Sequence, residues 1–359
     1  MAKFAFIIHP LDVLDVARKY RIARYLPRSW VEAALAWMRP RVVSEITGVV
    51  SAIGARTEGW FVGCPATPRH LLEGGSKAVE SVVRAARVAQ QVGAGIVGLG
   101  AYTSIVGNGG LEVAEALDIA VTTGNSYTCF TAVEGAMKAA EMMGIAADKA
   151  KAAVLGATGS VGRACSILLA DKVACLALAG RRRDRLEQVA AETATHGAKD
   201  VEIYQTPSDA LRDADIVITV TSALEAVVEP QHLKPGAVVC DVARPRDVSR
   251  RVVEERDDVL VIEGGIVRVP GPVEFHFDFG FPPGTAYACM AETMILALEN
   301  RLEDYSIGRD LELEKVLEIG ALAAKHGFEL AGFRAFEQPV TEETIARVRE
   351  RAEARRRPA

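Results

Sequence analysis

Three features of the sequence predict an α/β fold built from three consecutive parts. Strand and helix patterns alternate over residues 1–150, an apolar strand enters a glycine-rich turn and a helix at residues 151–170, and helical patterns dominate after residue 285. Such alternation is typical of sheets covered by helices. We therefore expect an N-terminal mixed α/β domain over residues 1–150, a doubly wound domain over 151–270 and a C-terminal helical section over 271–359.

The glycine-rich turn lies in the segment KAAVLGATGSVGRACSILLA, whose glycines have the spacing GxxGxxG rather than GxGxxG. Glycines here allow a sharp turn, close approach of the backbone to phosphates and tight packing of helix on strand. The helix N-terminus offers free N–H groups and a positive dipole to a pyrophosphate. The middle domain is therefore predicted to be a Rossmann domain. Its expected cofactor residues are Gly156, Thr158, Gly159, Ser160, Val161, Gly162 and, after a later strand, Thr221.

The end of the next strand, CLALAG, predicts which cofactor is bound. A carboxylate at this position accepts a hydrogen bond from a ribose 2′-hydroxyl, whereas a 2′-phosphate requires arginine. The strand is followed by Arg181, Arg182 and Arg183, with no acidic residue before Asp184. We therefore expect a Rossmann NADP-binding domain that uses NADPH, with Arg181 and Arg182 at the phosphate. The alternative is a solvated basic start of a helix.

The composition limits the class of protein. The 359 residues are 50% hydrophobic and 25% charged, with a net charge of −5, which is ordinary for a globular enzyme and argues against a nucleic-acid partner. The six cysteines lack metal-ligand spacing, so we expect reduced thiols, no metal and a cytoplasmic location. The uncharged run over 88–111 contains glycines and polar residues, so no transmembrane segment is predicted.

The periodicity of the sequence predicts its principal elements. Helices are expected over 11–25, 68–92, 126–143, 285–300 and 313–327. Strands are expected at FAFII, VVSEITGVVSAIG, GWFVGC, GIVGLG and AVTTG in the first domain. In the Rossmann domain, later strands are expected at DIVITV, AVVCDVA and DVLVIEG.

Hydride transfer requires a residue that holds or activates the acceptor. None of the seven tyrosines has lysine four residues later, which disfavours short-chain dehydrogenase chemistry. The loops GLGAYTSIVGNGG and TTGNSYTC lack the lysine that shikimate-type dehydrogenases need. The remaining candidate is Cys289 in PPGTAYACMAE. If Thr285 caps the following helix, Cys289 lies near its first turn, where the dipole favours a thiolate. The alternative is a structural cysteine.

Several segments together resemble the long-chain acyl-[acyl-carrier-protein] reductases of cyanobacteria. They are AQQVGAGIVGLGAYTSIVGNGG, TTGNSYTCFTAVEGAMKAAEMMGI, AVLGATGSVGRACSILLA, VIEGGIVRVPG, TAYACMAETMILALE and ALAAKHGF. The resemblance extends from about Phe4 to Phe328. It implies NADPH-dependent reduction of fatty acyl thioesters, on acyl-carrier protein or CoA, to fatty aldehydes through an acyl-cysteine, with Cys289 as the nucleophile. A downstream aldehyde-consuming enzyme is a further partner that this activity implies.

Polar residues of two loops are candidates for binding the thioester carbonyl. They are Thr103, Ser104, Asn125, Ser126 and Tyr127, and the alternative for each is a turn hydrogen bond. His9 and His276 are candidate proton donors, although a structural role is more usual for such histidines. Glu292 follows Cys289 by three residues on the same helix face, where it orients a donor or pairs with a cation.

The N-terminal region combines aromatic and basic residues in an otherwise acidic chain. Trp30 and Trp37 lie among Arg18, Lys19, Arg21, Arg24, Arg28, Arg39 and Arg41. This pattern suits docking of an acidic acyl-carrier protein or peripheral contact with an anionic membrane. The alternative is a solvated helix face that covers core tryptophans. For the whole chain, the alternatives to a thioester reductase are a shikimate- or quinate-like alcohol dehydrogenase and a non-catalytic NADPH-binding sensor.

Overall fold

The computed structural model describes residues 1–10, 15–17, 21–223 and 225–356. The strands, in chain order, are β1 Phe4–Ile8, β2 Arg41–Val50, β3 Arg56–Gly63, β4 Ile96–Gly98, β5 Ala120–Thr122, β6 Lys151–Leu155, β7 Cys175–Ala179, β8 Val201–Tyr204, β9 Ile216–Thr219, β10 Val238–Asp241, β11 Leu260–Glu263, β12 Ile266–Arg268, β13 Thr285–Tyr287, β14 Glu329–Leu330, β15 Phe333–Ala335 and β16 Gln338–Val340. The helices are α1 Arg28–Trp37, α2 Pro68–Glu73, α3 Ser76–Gln91, α4 Val106–Gly109, α5 Leu111–Ala114, α6 Asn125–Met142, α7 Ser160–Leu169, α8 Arg183–Thr195, α9 Pro207–Leu211, α10 Arg250–Glu255, α11 Ala288–Leu298, α12 Leu313–His326 and α13 Glu342–Arg356.

The chain forms two compact units, of which the first comprises Met1–Tyr127, Val267–Asp310 and Glu318–Glu329. Its five-stranded sheet has the order β2-β3-β1-β4-β5, with β2 antiparallel to β3 and the other neighbours parallel. Ala5 and Ile7 of β1 join a buried cluster with apolar side chains of α3. Helix α11 packs against β1 and β4. The sheet is therefore covered by helices, as the alternating pattern predicts.

The second unit comprises Thr128–Ile266, Leu311–Leu317 and Leu330–Ala359. Its six strands are all parallel in the order β8-β7-β6-β9-β10-β11. Numbered within the unit, this is the order 3-2-1-4-5-6 of a Rossmann fold, whose ligand crevice lies where the order reverses, between β6 and β9. The central strands are buried because helices cover parallel sheets on both faces.

The predicted fold class is confirmed: a mixed α/β chain with a parallel Rossmann sheet and helices in its C-terminal part. The unit boundaries differ from the expected divisions after residues 150 and 270. Residues 128–150 belong to the second unit because α6 packs on the Rossmann sheet through Cys129, Ala132 and Ala136. Residues 267–310 belong to the first unit because α11 covers its sheet.

Two helices begin or break differently from their predictions. The helix expected over 68–92 is divided at Gly74 and Gly75, where Gly75 has a φ of 51° and a Cβ on Gly74 would lie 2.3 Å from the carbonyl oxygen of His70. The helix expected from Thr285 begins at Ala288, because Thr285–Tyr287 is a strand beside β12. The helix expected over 11–25 lies partly outside the described residues, and Arg21–Tyr25 is a 3-10 helix.

Within the described ranges, every helix is too short or too polar to cross a bilayer. The uncharged run over 88–111 contains the end of α3, the strand β4 and short helical turns.

Candidate active site

The predicted cofactor loop joins β6 to α7 at the carboxyl edge of the Rossmann sheet. Gly156 has a φ of 82°, and its N–H donates to the carbonyl of Ala179 at 3.0 Å. A Cβ on Gly162 would lie 2.2 Å from the carbonyl oxygen of Gly156. These two glycines are therefore required for the chain to turn and for α7 to pack against the turn.

The outer part of the loop has a different character. Thr158 and Gly159 are exposed, Ser160 is half-buried, and the side chain of Val161 is buried in the core. A Cβ on Gly159 would come no closer than 3.3 Å to the rest of the protein, and no side chain caps the N-terminus of α7. The loop is thus open to a ligand at the point where the helix dipole favours phosphate.

Thr221 follows β9, on the other side of the crevice. Its hydroxyl and N–H donate to the carboxylate of Asp247 at 2.6 and 2.8 Å, and the hydroxyl of Thr219 donates to the same carboxylate at 2.5 Å. Asp247 is fully buried and was not predicted from the sequence. It fixes the loop after β9 beside Gly156, where a Cβ on that glycine would lie 2.6 Å from the carbonyl oxygen of Val220.

Arg181 and Arg182, which the sequence predicts at the ribose end of the cofactor, lie exposed after β7. Arg182 pairs with Asp184 at 2.9 Å, an exposed ion pair that contributes little to stability. Gly180 brings this segment to the glycine loop, because a Cβ there would lie 3.1 Å from Cγ2 of Thr158. Arginines and an open loop at a helix start fit a phosphorylated dinucleotide, whose reduced nicotinamide supplies hydride when bound.

Cys289 lines a largely apolar cavity within the first unit. It is the second residue of α11, one position beyond Ala288, and it is half-buried. A thiol at this position lies near the positive end of the helix dipole, and this positive charge stabilises the thiolate form. The cavity is further lined by Phe6, Ile7, Ile8, His9, Pro10, Asp15, Val16, Leu35, Met38, Arg39, Arg41, Val43, Gly63, Cys64, Pro65, Gly100, Ala101, Phe277, Phe279, Tyr287 and Met290.

Four of the other cysteines are in surroundings that oppose ionisation. Burial raises the pKa of Cys64 to about 12 and that of Cys175 to about 11. The pKa of Cys240 is raised by burial, and that of Cys165 is raised by its hydrogen bond with Cys129 and by burial. Cys64 is informative because it lines the same cavity as Cys289 yet is buried inside a loop.

Two phenylalanines of the segment VEFHFDFGFPPG, Phe277 and Phe279, form an aromatic wall of this cavity, and Phe275 and Phe281 pack against Phe279. Rings at alternate positions contact one another, with centroid distances of 5.1 Å for Phe275 and Phe279 and 5.5 Å for Phe279 and Phe281. The ring of Phe281 lies 4.4 Å from that of Tyr287, two residues before the thiol. No function for this segment was predicted from the sequence. The regular spacing of its phenylalanines is the signal that would have identified it.

His9 lines the cavity as a neutral ring. Its Nε2 accepts the N–H of Tyr102 at 3.2 Å, so the proton is on Nδ1, which lies 3.1 Å from the carbonyl oxygen of Pro10. Burial lowers its pKa to about 4. Both nitrogens are engaged, which favours the structural role over proton donation. His276 is exposed, with a φ of 49° and its Nδ1 3.2 Å from the carbonyl oxygen of Glu45.

Glu292 is the central polar residue of the first unit and has no exposed surface. Its carboxylate accepts the hydroxyl of Thr122 and, at 2.8 Å, the N–H of Tyr127. Burial raises its pKa, an effect that these hydrogen bonds oppose. Glu292 therefore orients backbone and hydroxyl donors, rather than pairing with a cation.

The start of α6 contacts the chain at Ser306 and the helix α11, which carries Glu292 and Cys289. The hydroxyl of Ser306 donates to that of Ser126 at 2.7 Å. A Cβ on Gly124, which has a φ of 72°, would lie 2.3 Å from Cβ of Cys289. Asn125 is half-buried, whereas Ser126 and Tyr127 are buried. Gly124, which immediately precedes the predicted donors of α6, thus packs against the backbone of the predicted nucleophile.

Thr103 and Ser104 have local partners instead. Thr103 accepts the N–H of Gly100 at 3.0 Å and donates to its carbonyl at 2.8 Å, and Ser104 donates to the carbonyl of Ala101 at 2.6 Å. These are the turn hydrogen bonds that the sequence analysis gave as the alternative. They shape the Gly100–Ala101 edge of the cavity.

One group of potential metal ligands occurs among the described residues. It consists of Cys175, Asp200 and Glu202, whose ligand atoms lie within 4.8 Å of one another. Glu202 is already paired with the ammonium group of Lys151 and accepts the hydroxyl of Tyr204 at 2.7 Å. The pairing neutralises the carboxylate on which a cation site would depend.

Comparisons with known proteins relate the chain to a family model and to two long relatives. The family model described as shikimate / quinate 5-dehydrogenase matches residues 137–263, which is the Rossmann part of the chain. The long-chain acyl-[acyl-carrier-protein] reductase of Synechococcus elongatus is 30% identical over 335 residues, covering 88% of this chain and 94% of that protein. Aminotransferase PigE of a Serratia species is 34% identical over 336 residues, covering 91% of this chain; the chain spans 39% of the length of PigE. A solved structure of glutamyl-tRNA reductase from Methanopyrus kandleri is 18% identical, covering 80% of this chain and 60% of that one, with a TM-score of 0.31.

The strand order, the open glycine loop and the matched family model define an NAD(P)-dependent oxidoreductase of the Rossmann type. The prediction that NADPH is the cofactor is confirmed by the family model and by the related reductase. The chain belongs to the family of the long-chain acyl-[acyl-carrier-protein] reductase, because it is 30% identical to that protein over nearly its whole length.

Two glycine substitutions in the cofactor loop separate folding from binding. Gly162→Ala places a methyl group 2.2 Å from a backbone oxygen and should lower the free energy of unfolding by about 2 kcal/mol or more. Gly159→Ala places its methyl group 3.3 Å from the carbonyl oxygen of Gly156, a much milder contact than at position 162, but the methyl group narrows the approach of phosphate. It should weaken NADPH binding at least about tenfold with little change in thermal stability. Fluorescence titration and thermal unfolding measure both effects, and unchanged NADPH affinity in Gly159→Ala would contradict the assigned loop.

Removal of the Glu292 carboxylate should destabilise the protein. Glu292→Ala leaves the Tyr127 N–H and Thr122 hydroxyl without their acceptor, and we expect a loss of about 2–4 kcal/mol. Glu292→Gln keeps one acceptor and should lose less. Burial raises the pKa of Glu292 above 4.5. The folded chain therefore binds a proton on the Glu292 carboxyl group more tightly than the unfolded chain does. We therefore compare the free energies of unfolding of the native protein and of Glu292→Gln as a function of pH. The native value minus the variant value should fall as pH rises above 4.5. A rise of this difference would contradict the raised pKa of Glu292.

Proposed function

We propose that this protein reduces long-chain fatty acyl thioesters to fatty aldehydes with NADPH, through an acyl group carried on Cys289. The observation that carries the proposal is the position of the Cys289 thiol: at the start of α11 and on the wall of an apolar cavity. A thiol there meets both needs of the reaction, activation of sulfur and a dry site for a hydrocarbon chain. Membership of the acyl-[acyl-carrier-protein] reductase family supports the same substrate class.

The first step is attack of the Cys289 thiolate on the carbonyl carbon of the substrate thioester. A bond forms between that carbon and Sγ, the bond to the sulfur of the carrier breaks, and the carrier leaves as a thiolate that takes up a proton from solvent. The acyl chain lies in the cavity against Phe277 and Phe279. Addition of one hydride and one proton then releases the aldehyde and restores the cysteine thiol.

The carbonyl oxygen becomes negative during attack and needs a hydrogen-bond donor. Asn125 is the best candidate among the predicted donors, because it is half-buried and adjacent to Gly124, whose backbone packs against Cys289. The N–H groups of Ser126 and Tyr127 already donate to Ser306 and Glu292. Thr103 and Ser104, engaged in their own turn, act by shaping the cavity rather than by binding oxygen.

The carrier and the consumer of the product complete the proposed function. An acyl-carrier protein or CoA delivers the acyl group as a thioester, and an aldehyde-consuming enzyme takes the product. The dehydrogenase alternative fits less well, because a polyhydroxylated substrate has no use for a cavity lined by Phe6, Phe277 and Phe279. The other alternative, a non-catalytic NADPH-binding sensor, does not require an accessible thiol in that cavity.

Loss of the thiol should abolish aldehyde formation without loss of cofactor binding. Purified Cys289→Ala with NADPH and hexadecanoyl-CoA should form aldehyde at least about a hundredfold more slowly than the native protein, because a covalent nucleophile is removed. NADPH affinity should be unchanged. Cys64→Ala is the matched control, since its buried thiol lines the same cavity. Near-native aldehyde formation by Cys289→Ala, measured by gas chromatography, would overturn the covalent mechanism.

Replacement of the arginines after β7 tests the choice of cofactor. The variant Arg181→Ala/Arg182→Ala should raise the KM for NADPH about 10- to 100-fold, because charge-assisted contacts to the 2′-phosphate are lost. The KM for NADH should change little. Arg212→Ala, an exposed arginine of the same unit, is the control. An equal increase in KM for NADPH and NADH would show that these arginines do not recognise the 2′-phosphate.

A further inference from the structure

The segment over residues 21–41 exposes an unusual set of large apolar side chains. The exposed fractions are 69% for Ile22, 82% for Tyr25, 67% for Trp30 and 89% for Trp37. Helix α1 buries Val31 and Leu35 on its other side. The alternative reading, in which a solvated face covers core tryptophans, is therefore wrong for this segment. We call the four exposed side chains, with the arginines described next, the aromatic-basic patch.

The patch is strongly basic in a chain whose net charge is −5. Residues 21–41 contain a single carboxylate, Glu32. Their cations are all exposed, namely Arg21, Arg24, Arg28, Arg39 and Arg41. Local positive charge of this kind attracts a partner with negative charge.

We propose that the aromatic-basic patch docks this protein on the surface of an anionic lipid bilayer. Tryptophan and tyrosine rings are most stable at the boundary between headgroups and hydrocarbon, and arginine pairs with lipid phosphate while its stem lies along apolar surface. An acidic carrier protein would satisfy the arginines. It would leave unexplained why Trp30 and Trp37, seven residues apart and so on one face of α1, both project outward.

The same segment also lines the cavity that contains Cys289. Leu35, Met38, Arg39 and Arg41 belong to the lining, so docking would bring this side of the cavity to the bilayer. If the proposed function is correct, a long-chain aldehyde formed in the cavity would pass into lipid rather than into water. The docking itself rests on the patch and does not require that reaction.

Vesicle co-sedimentation tests the proposal on the full chain. The probes are unilamellar vesicles of phosphatidylcholine alone, and of three parts phosphatidylcholine to one part phosphatidylglycerol. The native protein should sediment with the anionic vesicles, and added salt should release it. Trp60, the third tryptophan, is half-buried, so Trp60→Phe leaves only patch tryptophans to report insertion by a blue shift of fluorescence.

Two patch variants should reduce this binding by different routes. Trp30→Ala/Trp37→Ala should lower the partition coefficient at least about tenfold on both vesicle types. Arg21→Glu/Arg24→Glu should remove the preference for anionic vesicles. The matched controls are Ile53→Ala/Leu317→Ala, exposed apolar residues elsewhere, and Arg69→Glu/Arg212→Glu, exposed arginines elsewhere. Both controls should bind as the native protein does.

The possible results distinguish three partners of the aromatic-basic patch: a lipid bilayer, a second copy of the chain and an acyl-carrier protein. Binding to anionic vesicles that the patch variants alone lose supports lipid docking. Three results would overturn it: no binding to either vesicle, binding that the tryptophan variant retains, or a native dimer that becomes a monomer in that variant. Loss of turnover with acyl-carrier protein in the arginine variant, without any vesicle binding by the native chain, would assign the patch to the carrier instead. Vesicle binding by Cys289→Ala should equal that of the native protein, so failure of the proposed reaction would leave this test intact.

Discussion

A buried carboxylate determines the geometry around the predicted nucleophile. Glu292 lies on α11, and its oxygens accept hydrogen bonds from Thr122 at the end of β5 and from the backbone of Tyr127 in α6. It thereby joins α11 to the end of β5 and the start of α6, which lie 170 and 165 residues earlier in the chain. A buried carboxylate without such donors would be prohibitively costly, so the donors and the carboxylate specify each other's positions.

The consequence is that the start of α6 is pressed against the helix that carries Cys289. Only glycine fits at position 124, because any side chain would occupy the space of Cys289. The first turn of α6, which begins at Asn125, is therefore fixed relative to α11 by packing and by hydrogen bonds. Preorganised donors of this kind lower the cost of charge development at a reacting carbonyl.

The cofactor loop could be predicted from the sequence because its chemistry is local. Gly156, Gly159 and Gly162 lie within seven residues and follow an apolar strand, so one short window contains the turn, the predicted phosphate site and the helix start. The arginine position after β7 was predictable for the same reason. Asp247 could not be found in this way, because only the fold brings it to Thr219 and Thr221.

The cavity was less predictable, since its walls come from separate segments such as β1, the chain before β2 and the phenylalanine-rich loop before α11. Cys289 was expected near a helix start, but the helix begins three residues later than expected. Thr285 and Tyr287 favour a strand, and the pairing with β12 prevails over helix capping there. The role of His9 could not be predicted from its residue type. Only its two hydrogen bonds in the structure indicate a neutral ring with a structural role.

The two units carry different kinds of information about function. The family model that matches residues 137–263 covers the Rossmann part, and that fold serves many substrates. Evidence on the substrate therefore lies in the first unit, where the thiol, the apolar cavity and the aromatic wall occur together.

The most direct test of the central claim is the intact mass of the protein after incubation with hexadecanoyl-CoA in the absence of NADPH. The proposed mechanism predicts one added hexadecanoyl group per chain, located by digestion on the peptide that contains Cys289, because attack by sulfur does not require hydride. An unmodified chain that still forms aldehyde when NADPH is added would contradict the acyl-cysteine mechanism.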